Sequence, residues 1–379
     1  MLVENTVKER YAEGASSVQA DLCCPVDYDR DLLKLLPQEI IEKDYGCGDP
    51  SRYVKSGDTV LDLGSGGGKI CYMSAQLVGE HGKVIGVDMT EDMLALARKY
   101  QNEMADKLGG QRVEFKRGYI QDLALSLDAV NDYVTQHPIH TLADLQQLEH
   151  WKTEHRRQTP MIADNSVDLV ISNCVLNLVA EEQKAQLVQE IFRVLKPGGR
   201  VAISDIVSDE EIPEAMKKDP ELWSGCISGA FHEKGFLDAF VDVGFIAVAY
   251  DKWEAQAWRV IEGIEFRSVT LTAVKPSAEP CMDKGHAVIY KGPYASISDD
   301  EGHVFPRGER MAVCERTFKE LTQGVYAGEF IGIIPADDKP GVPYCASHNQ
   351  RRPASESKGG RHMLTSGDDN SDSSGACCC

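Results

Sequence analysis

Between Thr59 and Met89 the chain reads TVLDLGSGGGKICYMSAQLVGEHGKVIGVDM, and no other stretch restricts its fold as strongly. A short apolar run, Val60, Leu61 and Leu63, breaks into Gly64, Gly66, Gly67 and Gly68. Cys71, Tyr72, Ala75, Leu77 and Val78 follow at helical spacing, and a second apolar run from Val84 to Val87 stops at Asp88. Strand, glycine turn, helix, strand and acid in that order make a dinucleotide-type βαβ unit. The glycines let backbone amides approach a ligand at a helix N-terminus, and the acid suits a pair of ribose hydroxyls. A GxG alone describes many tight turns; with strand, helix and spaced acid all present, it points to a nucleoside ligand.

The spacing also narrows the choice of nucleoside. A Walker loop needs GxxxxGK and then Ser or Thr, but Leu63 holds the first glycine position and Ile70 follows Lys69. A NAD fingerprint wants a small third glycine site, and Lys69 is there. LDLGSGGG with the later VDM instead resembles the first two motifs of class I S-adenosylmethionine methyltransferases. VLKPGG at Val194–Gly199 is a second mark of that family, Pro197 and Gly198 ending a helix before a strand. The resemblance implies that Gly64, Ser65 and Gly66 lie against the methionyl part of the cofactor. It implies that Asp88 holds the ribose hydroxyls and Met89 flanks the adenine, with Asp62, Tyr119, Ile120 and Asn173 completing the cofactor contacts.

Alternating strands and helices predict a doubly wound, Rossmann-like α/β domain over residues 54–230. An arm, residues 1–53, precedes it and carries helical spacing at Leu32, Leu33, Leu35, Leu36, Ile40 and Ile41. Met93, Leu94, Leu96, Ala97, Tyr100 and Met104 predict a helix over Glu91–Leu108. Residues 124–163 interrupt the alternation, and Leu142, Leu145, Leu148 and Trp151 predict an added helix over the substrate side. Four histidines there (His137, His140, His150, His155) match no metal-ligand spacing and read as solvated surface. Residues 231–335 read as a smaller α+β domain. From residue 336 the polar, Gly-rich composition predicts a disordered tail ending in Cys377, Cys378 and Cys379.

Net charge is −20, so a nucleic-acid partner, which needs clustered Lys and Arg, is not expected. No apolar run approaches membrane-spanning length, and the start of the chain has no signal-peptide core. The expectation is a cytoplasmic protein. Twelve cysteines are then unusual, because disulfide scaffolds belong to small secreted domains, and no CxxC…CxxC pair indicates structural zinc. Cys47 sits between Gly46 and Gly48 in a loop. Cys174 follows directly on an expected strand, Val167–Ser172, where ligands of open α/β sheets bind. The polar neighbours Asn173 and Asn177 read as pocket lining, and Cys226 lies in another Gly-containing loop.

With these words, YGCG (Tyr45–Gly48), ICYMSAQLVGEHGKVIGVDMT, GYI (Gly118–Ile120), SNCVLNLV (Ser172–Val179) and LWSGC (Leu222–Cys226), the chain resembles the arsenite S-adenosylmethionine methyltransferases. The resemblance runs in order over roughly residues 10 to 275. It implies transfer of methyl groups to thiolate-bound trivalent arsenic, with Cys174 and Cys226 as persistent ligands and Cys47 as a further one. An upstream thiol, Cys24 or its neighbour Cys23, completes the set; Cys71 stands outside it. A thiol reductant such as thioredoxin or glutathione is the implied partner. Three departures stand out: Ser224-Gly225 replaces a frequent Gly-Glu, residues 124–163 are inserted, and Cys23 and Cys24 are adjacent. Two other readings remain at this level, a methyltransferase acting on a quinone-like small molecule and a thiol-rich metalloid-binding protein.

Overall fold

The computed structural model describes residues 3–16, 26–335, 340–343 and 349–357. Cys23, Cys24 and Cys377–Cys379 lie outside them. The described chain divides into two compact units, residues 1–277 and 278–379.

The first unit is built on strands β1 (Thr59–Leu63), β2 (Lys83–Asp88), β3 (Val113–Arg117), β4 (Val167–Asn173), β5 (Leu195–Ser208), β6 (Ile246–Trp253) and β7 (Ile264–Val274). Their order is 3-2-1-4-5-7-6, with β1 to β5 parallel and β7 antiparallel to both neighbours. Two short strands, Phe231–His232 and Arg259–Ile261, add to this sheet. Successive strand residues face opposite layers, so the apolar runs serve two cores. Val60, Leu169, Ile171 and Ala202 pack with Ile70 and Tyr72 of helix α2 (Lys69–Leu77) on one face. Leu61, Leu63, Val170, Val201 and Ile203 face Leu187 and Ile191 of α7 (Lys184–Val194) and Phe236 and Phe240 of α8 (Glu233–Val241).

The sheet reverses direction of growth between β1 and β4, and that is where a crevice opens beyond the strand ends. Gly64 and Ser65 leave β1 with both amides donating to the Val87 carbonyl, at 2.8 and 3.0 Å. Helix α1 (Val3–Ser16), which the sequence did not signal, packs against α3 (Glu91–Lys99) and the short helix Pro220–Ser224. The helix expected over Glu91–Leu108 is two helices, α3 and α4 (Gln101–Leu108), parted at Tyr100.

Two features differ from expectation. Residues 231–277 are not part of a C-terminal domain: β7 pairs with β5 from Arg200↔Val274 to Ser208↔Phe266 and completes the main sheet. A period-two apolar pattern says a strand is half-buried but not which sheet it joins. Residues 124–163 form a helical hairpin, α5 (Leu127–Gln136) and α6 (Leu142–Gln158). Its expected stripe is only partly buried, since Leu142 and Leu145 are exposed and Leu148 alone is fully covered. Trp151 stacks instead between Tyr133 and His155.

The second unit has a three-stranded antiparallel sheet, β8 (Ala287–Tyr290), β9 (Arg310–Ala312) and β10 (Phe330–Ile333), with β8 central. Helix α9 (Glu315–Thr322) supplies Phe318 and Leu321 to its core beside Val288, Tyr290 and Phe305. The expected disorder from residue 336 does not hold for 349–357. Ala312 donates to the Gln350 carbonyl at 2.8 Å, Arg352 to the Arg310 carbonyl at 2.9 Å, and Ser357 is completely buried. Arg352 also pairs with Asp283 at 2.7 Å.

Ending the chain after residue 335 removes these partners, a loss on the order of 2–4 kcal/mol at about 1 kcal/mol per hydrogen bond. The second unit should then melt roughly 10 °C or more below a chain ending after Ser357, given about 4–8 °C per kcal/mol for a unit this size. Differential scanning calorimetry of the two truncations checks it; coincident transitions would show that 349–357 adds nothing.

Candidate active site

A pocket of about 930 Å³ opens at the carboxyl ends of β1, β2 and β4. Asp62, Gly64, Ser65, Gly66, Asp88, Met89, Tyr119, Ile120, Asn173 and Cys174 all line it. The 124–163 hairpin contributes nothing to the lining, so it does not cover this pocket. Gly64 has φ +70°, and a Cβ there would meet Val175 Cγ1 at 2.4 Å, so only glycine fits the turn. A Cβ on Gly66 would meet nothing within 4 Å, which leaves the loop backbone bare toward the pocket. The Ser65 hydroxyl is buried there with no protein partner.

The acids at the strand ends set the electrostatics. Asp88 takes the Gly66 amide at 2.9 Å on one oxygen and the Thr90 amide at 2.8 Å on the other. Each oxygen keeps a lone pair for a hydroxyl. Burial raises the Asp88 pKa, and those backbone donors pull it back. Asp62 is pushed up to about 7, chiefly by burial, with the Cys71 thiol donating to it at 3.1 Å. Lys69, which occupies the NAD-type glycine position, pairs with Asp44 at 2.9 Å and lies 3.4 Å above the Tyr28 ring. A sulfonium nucleoside fits this lining: acids for its charge and hydroxyls, a glycine turn that it can approach closely, and an unpartnered serine hydroxyl.

Next to this pocket, an apolar cluster holds three of the cysteines. Cys47 and Cys174 are joined by a disulfide with Cα atoms 5.7 Å apart. The Cys226 thiol donates to the Cys174 carbonyl at 3.3 Å. Cys47 and Cys226 do not line the pocket; Cys174 stands in its wall. All three belong to an apolar cluster with Val7, Trp223, Ile227 and Phe266. Cys174 and Cys226 both have φ +61°, a left-handed backbone that costs a residue with a Cβ of order 1 kcal/mol or more. Strain of this kind persists where the surroundings fix it and gathers at functional sites.

Asn173 holds the arm to the strand end. Its Oδ1 accepts the Cys47 and Gly48 amides at 2.9 and 3.0 Å, and its Nδ2 donates to the Gly48 carbonyl at 2.8 Å. The glycines of YGCG now have a reason beyond loop formation. A Cβ on Gly46 would lie 2.0 Å from Asn173 Nδ2, and one on Gly48 2.3 Å from Ser204 Oγ.

Asn177 is not pocket lining. It is fully buried and donates to Asp205 at 2.7 Å and to the Ile206 carbonyl at 2.7 Å. Asp205 itself escaped the sequence reading, although an acid inside the apolar run VAISDIV was a visible signal. Its carboxylate accepts from Leu176 N, Asn177 N, Asn177 Nδ2 and Ile206 N, fastening the segment that bears Cys174. A carboxylate oxygen and the Cys47 and Cys174 sulfurs lie within 4.8 Å of one another. Burial drives Asp205 up to about 7 against those donors. Tyr11 of α1 was also missed; its buried hydroxyl meets Cys226, and burial and that thiol raise its pKa. Arg10 bonds Ser224 Oγ at 2.6 Å, where the expected Gly-Glu is absent.

Sheet order 3-2-1-4-5-7-6, the glycine turn after β1 and the acid ending β2 define a class I, S-adenosylmethionine-dependent methyltransferase. A methyltransferase domain family matches residues 54–150 and 152–257, and a domain of unknown function matches 277–362. An arsenite methyltransferase of Mus musculus is 31% identical, with 82% of this chain and 76% of that protein aligned. One from Aquipseudomonas alcaligenes is 29% identical over 84% and 86% of the two chains. The crystal structure of an arsenic(III) S-adenosylmethionine methyltransferase from Chlamydomonas reinhardtii superposes with a TM-score of 0.56 at 29% identity, covering 84% of this chain and 99% of that one. The chain belongs to the arsenite methyltransferase family.

Asp205 makes a testable contribution to stability. Its folded pKa is raised from an unfolded value near 4, so its stabilising share is complete below pH 4 and lost as pH rises to about 7. An asparagine does not titrate. The stability gap between wild type and Asp205→Asn should therefore narrow from pH 4 to 7, by up to about 1.4 kcal/mol per pH unit, then stay level. Urea unfolding across that range measures it; a gap independent of pH would refute the raised pKa.

Proposed function

We propose that this chain transfers methyl groups from S-adenosylmethionine to trivalent arsenic held by the thiolates of Cys47, Cys174 and Cys226. The observation that carries the reading is one apolar cluster that holds Cys47, Cys174 and Cys226, with Cys174 also in the wall of the nucleoside pocket. The Cys47 and Cys174 sulfurs are close together, and Cys226 joins them through the Cys174 carbonyl. Upstream Cys23 and Cys24 lie outside the described residues, and the role of Cys24 as a fourth ligand stays part of the proposal.

The chemistry follows from the ligand type. Trivalent arsenic is soft and prefers thiolates. Each As–S bond formed displaces hydroxide, which leaves with the thiol proton as water. Three sulfurs on one side of the arsenic leave its lone pair free on the other. S-Adenosylmethionine, when bound, supplies an electrophilic methyl group. Asp88 and the bare turn from Gly64 to Gly66 orient the nucleoside, and Cys174 anchors the arsenic at the pocket wall. Catalysis here is positioning, and no general base acts on arsenic, which carries no proton at the attacking position. Asp205, with its pKa near neutrality, is the group beside Cys47 and Cys174 able to take up a thiol proton at pH 7.

The disulfide between Cys47 and Cys174 must be opened before arsenic can take both sulfurs. A reductant such as thioredoxin or glutathione in the cytoplasm would do so. Among the described residues no helix is long and apolar enough to cross a membrane.

Asp88→Ala should weaken S-adenosylmethionine binding by tens of fold, on the order of 2 kcal/mol for lost charged hydrogen bonds to the ribose. Titration calorimetry with unchanged affinity would remove Asp88 from the site.

The thiols divide by step. Arsenite has three positions to exchange and calls for Cys47, Cys174 and Cys226. Methylarsenite has two, which Cys174 and Cys226 can fill. Cys47→Ser should therefore abolish methylation of arsenite yet leave much of the activity on methylarsenite, whereas Cys174→Ser should abolish both. Product speciation with each trivalent substrate and folded variants decides it. Equal losses on both substrates in Cys47→Ser, or any methylation by Cys174→Ser, would sink the assignment.

A further inference from the structure

The second unit carries a thiol pair that the methylation site does not use. Cys281 directly precedes the short strand Met282–Asp283, and Cys314 follows β9 as the residue that caps α9. The segment bearing Cys281 lies along α9, with Lys284 paired to Glu315 at 2.8 Å and Glu279 to Lys319 at 2.8 Å. This sets the Cys281 thiol beside that of Cys314, and neither is in a disulfide. Their environments differ. Cys314 is buried, its sulfur accepting the Thr317 amide at 3.4 Å and meeting the Thr317 hydroxyl at 3.3 Å. Cys281 is partly exposed and gives the pair an entrance. The N-terminal end of a helix favours negative charge on the atom that caps it. Burial and the neighbouring Cys314 push the Cys281 thiol up, while Arg316 pulls it down.

We propose that Cys281 and Cys314 form a second soft-ligand site, a dithiol that takes monosubstituted trivalent arsenicals. The ligand class follows from the number of donors. Among the described residues, neither group of Cys, His and carboxylate ligands close enough to share a metal includes this pair. The nearby Glu301 is engaged by Arg316. Zinc in a structural site needs four protein ligands and finds two here. Inorganic arsenite has three exchangeable positions, so two thiols leave one unfilled. An arsenical with one carbon substituent has two, and the pair satisfies both. The binding step is a condensation without redox change. With an arsine oxide, both As–O bonds of the As=O group break and two As–S bonds form. The two thiol protons leave on that oxygen as one water. On the function proposed above, methyl transfer uses the arsenic lone pair and leaves pentavalent arsenic; two thiolates return the two electrons as a disulfide, and the methylarsenite so formed is such a ligand. The site itself stands on the two thiols and does not require that methylation occur.

The test uses the full-length, reduced protein and phenylarsine oxide as probe. N-ethylmaleimide labelling, followed by peptide mass spectrometry, reads Cys281 alone, whatever the other thiols bind. Saturating phenylarsine oxide should lower Cys281 labelling at least tenfold, and excess dimercaptopropanol should restore it. In Cys314→Ser the arsenical should change Cys281 labelling by less than twofold. Serine is itself a favourable helix cap, so α9 should be kept. As a measurement independent of that variant, Cys281→Ser should retain one equivalent less arsenic per chain after desalting than wild type. Both variants should methylate arsenite as wild type does. Unprotected Cys281 in the wild type, protection that persists in Cys314→Ser, or unchanged stoichiometry in Cys281→Ser would overturn the proposal. Protection of Cys281 in a protein unable to methylate arsenite would uphold it and remove the function proposed for the first unit.

Discussion

One carboxamide joins the two halves of the active site. Asn173 ends β4, and its side chain takes the Cys47 and Gly48 amides and returns a hydrogen to the Gly48 carbonyl. Only one orientation of the amide serves all three partners, because a flipped group would aim its NH2 at two N–H donors. The arm is thereby registered against the sheet at the residue before Cys174. Ser268 of β7 adds a bond to the Cys47 carbonyl at 2.7 Å, so the loop is fixed from the next sheet layer outward as well. The sheet order makes both anchors available, since β4 and β7 lie on either side of β5.

The nucleoside half is rigid by construction, and the thiol half is assembled. Asp88, Asp62 and the glycine turn lie within one βαβ unit whose strands are buried on both faces. The thiols come from three segments far apart in the chain, the arm, the end of β4 and the loop after residue 220. Each is held by polar groups that are wholly or partly buried: Asn173 for Cys47, Asp205 for the Cys174 segment, Tyr11 and Arg10 for the Cys226 segment. Buried polar groups of this sort define one geometry because the alternatives leave donors unmet. They also explain how two cysteines remain in left-handed backbone.

The central βαβ unit was legible because its residues act locally. Strand, turn, helix and acid are contiguous, so Gly64, Asp88 and their neighbours could be placed from spacing alone. The three cysteines carried weaker local signals, glycine neighbours and a strand end, and needed the family resemblance to be joined. Asp205 and Tyr11 were not found, because what matters about them is which distant residues they meet. Asn177 was misread for the same reason: a polar residue near a site looks alike whether it faces the ligand or braces the wall. The domain boundary failed on another count. The β6–β7 ribbon could close the first sheet or open a second one, and its alternation is the same in both.

The positions of the acids set a limit on how the two halves can be charged together. Asp62 and Asp205 are buried and Asp88 partly so, and all three are raised, Asp62 and Asp205 to about 7. Ionised carboxylates in low dielectric are costly without a cation or donors beside them. Asp205 has its donors in the protein, four N–H groups of the Cys174 segment and β5. Asp88 has two backbone amides, and Asp62 has the weak donor of the Cys71 thiol. The pocket is thus most in need of positive charge at the end where the nucleoside would bind. A sulfonium cofactor answers that need at Asp62 and Asp88, whereas neutral trivalent arsenic would not. On the proposed function, the electrostatic demand of the pocket suits the cofactor, and the metalloid is left to sulfur, its preferred ligand.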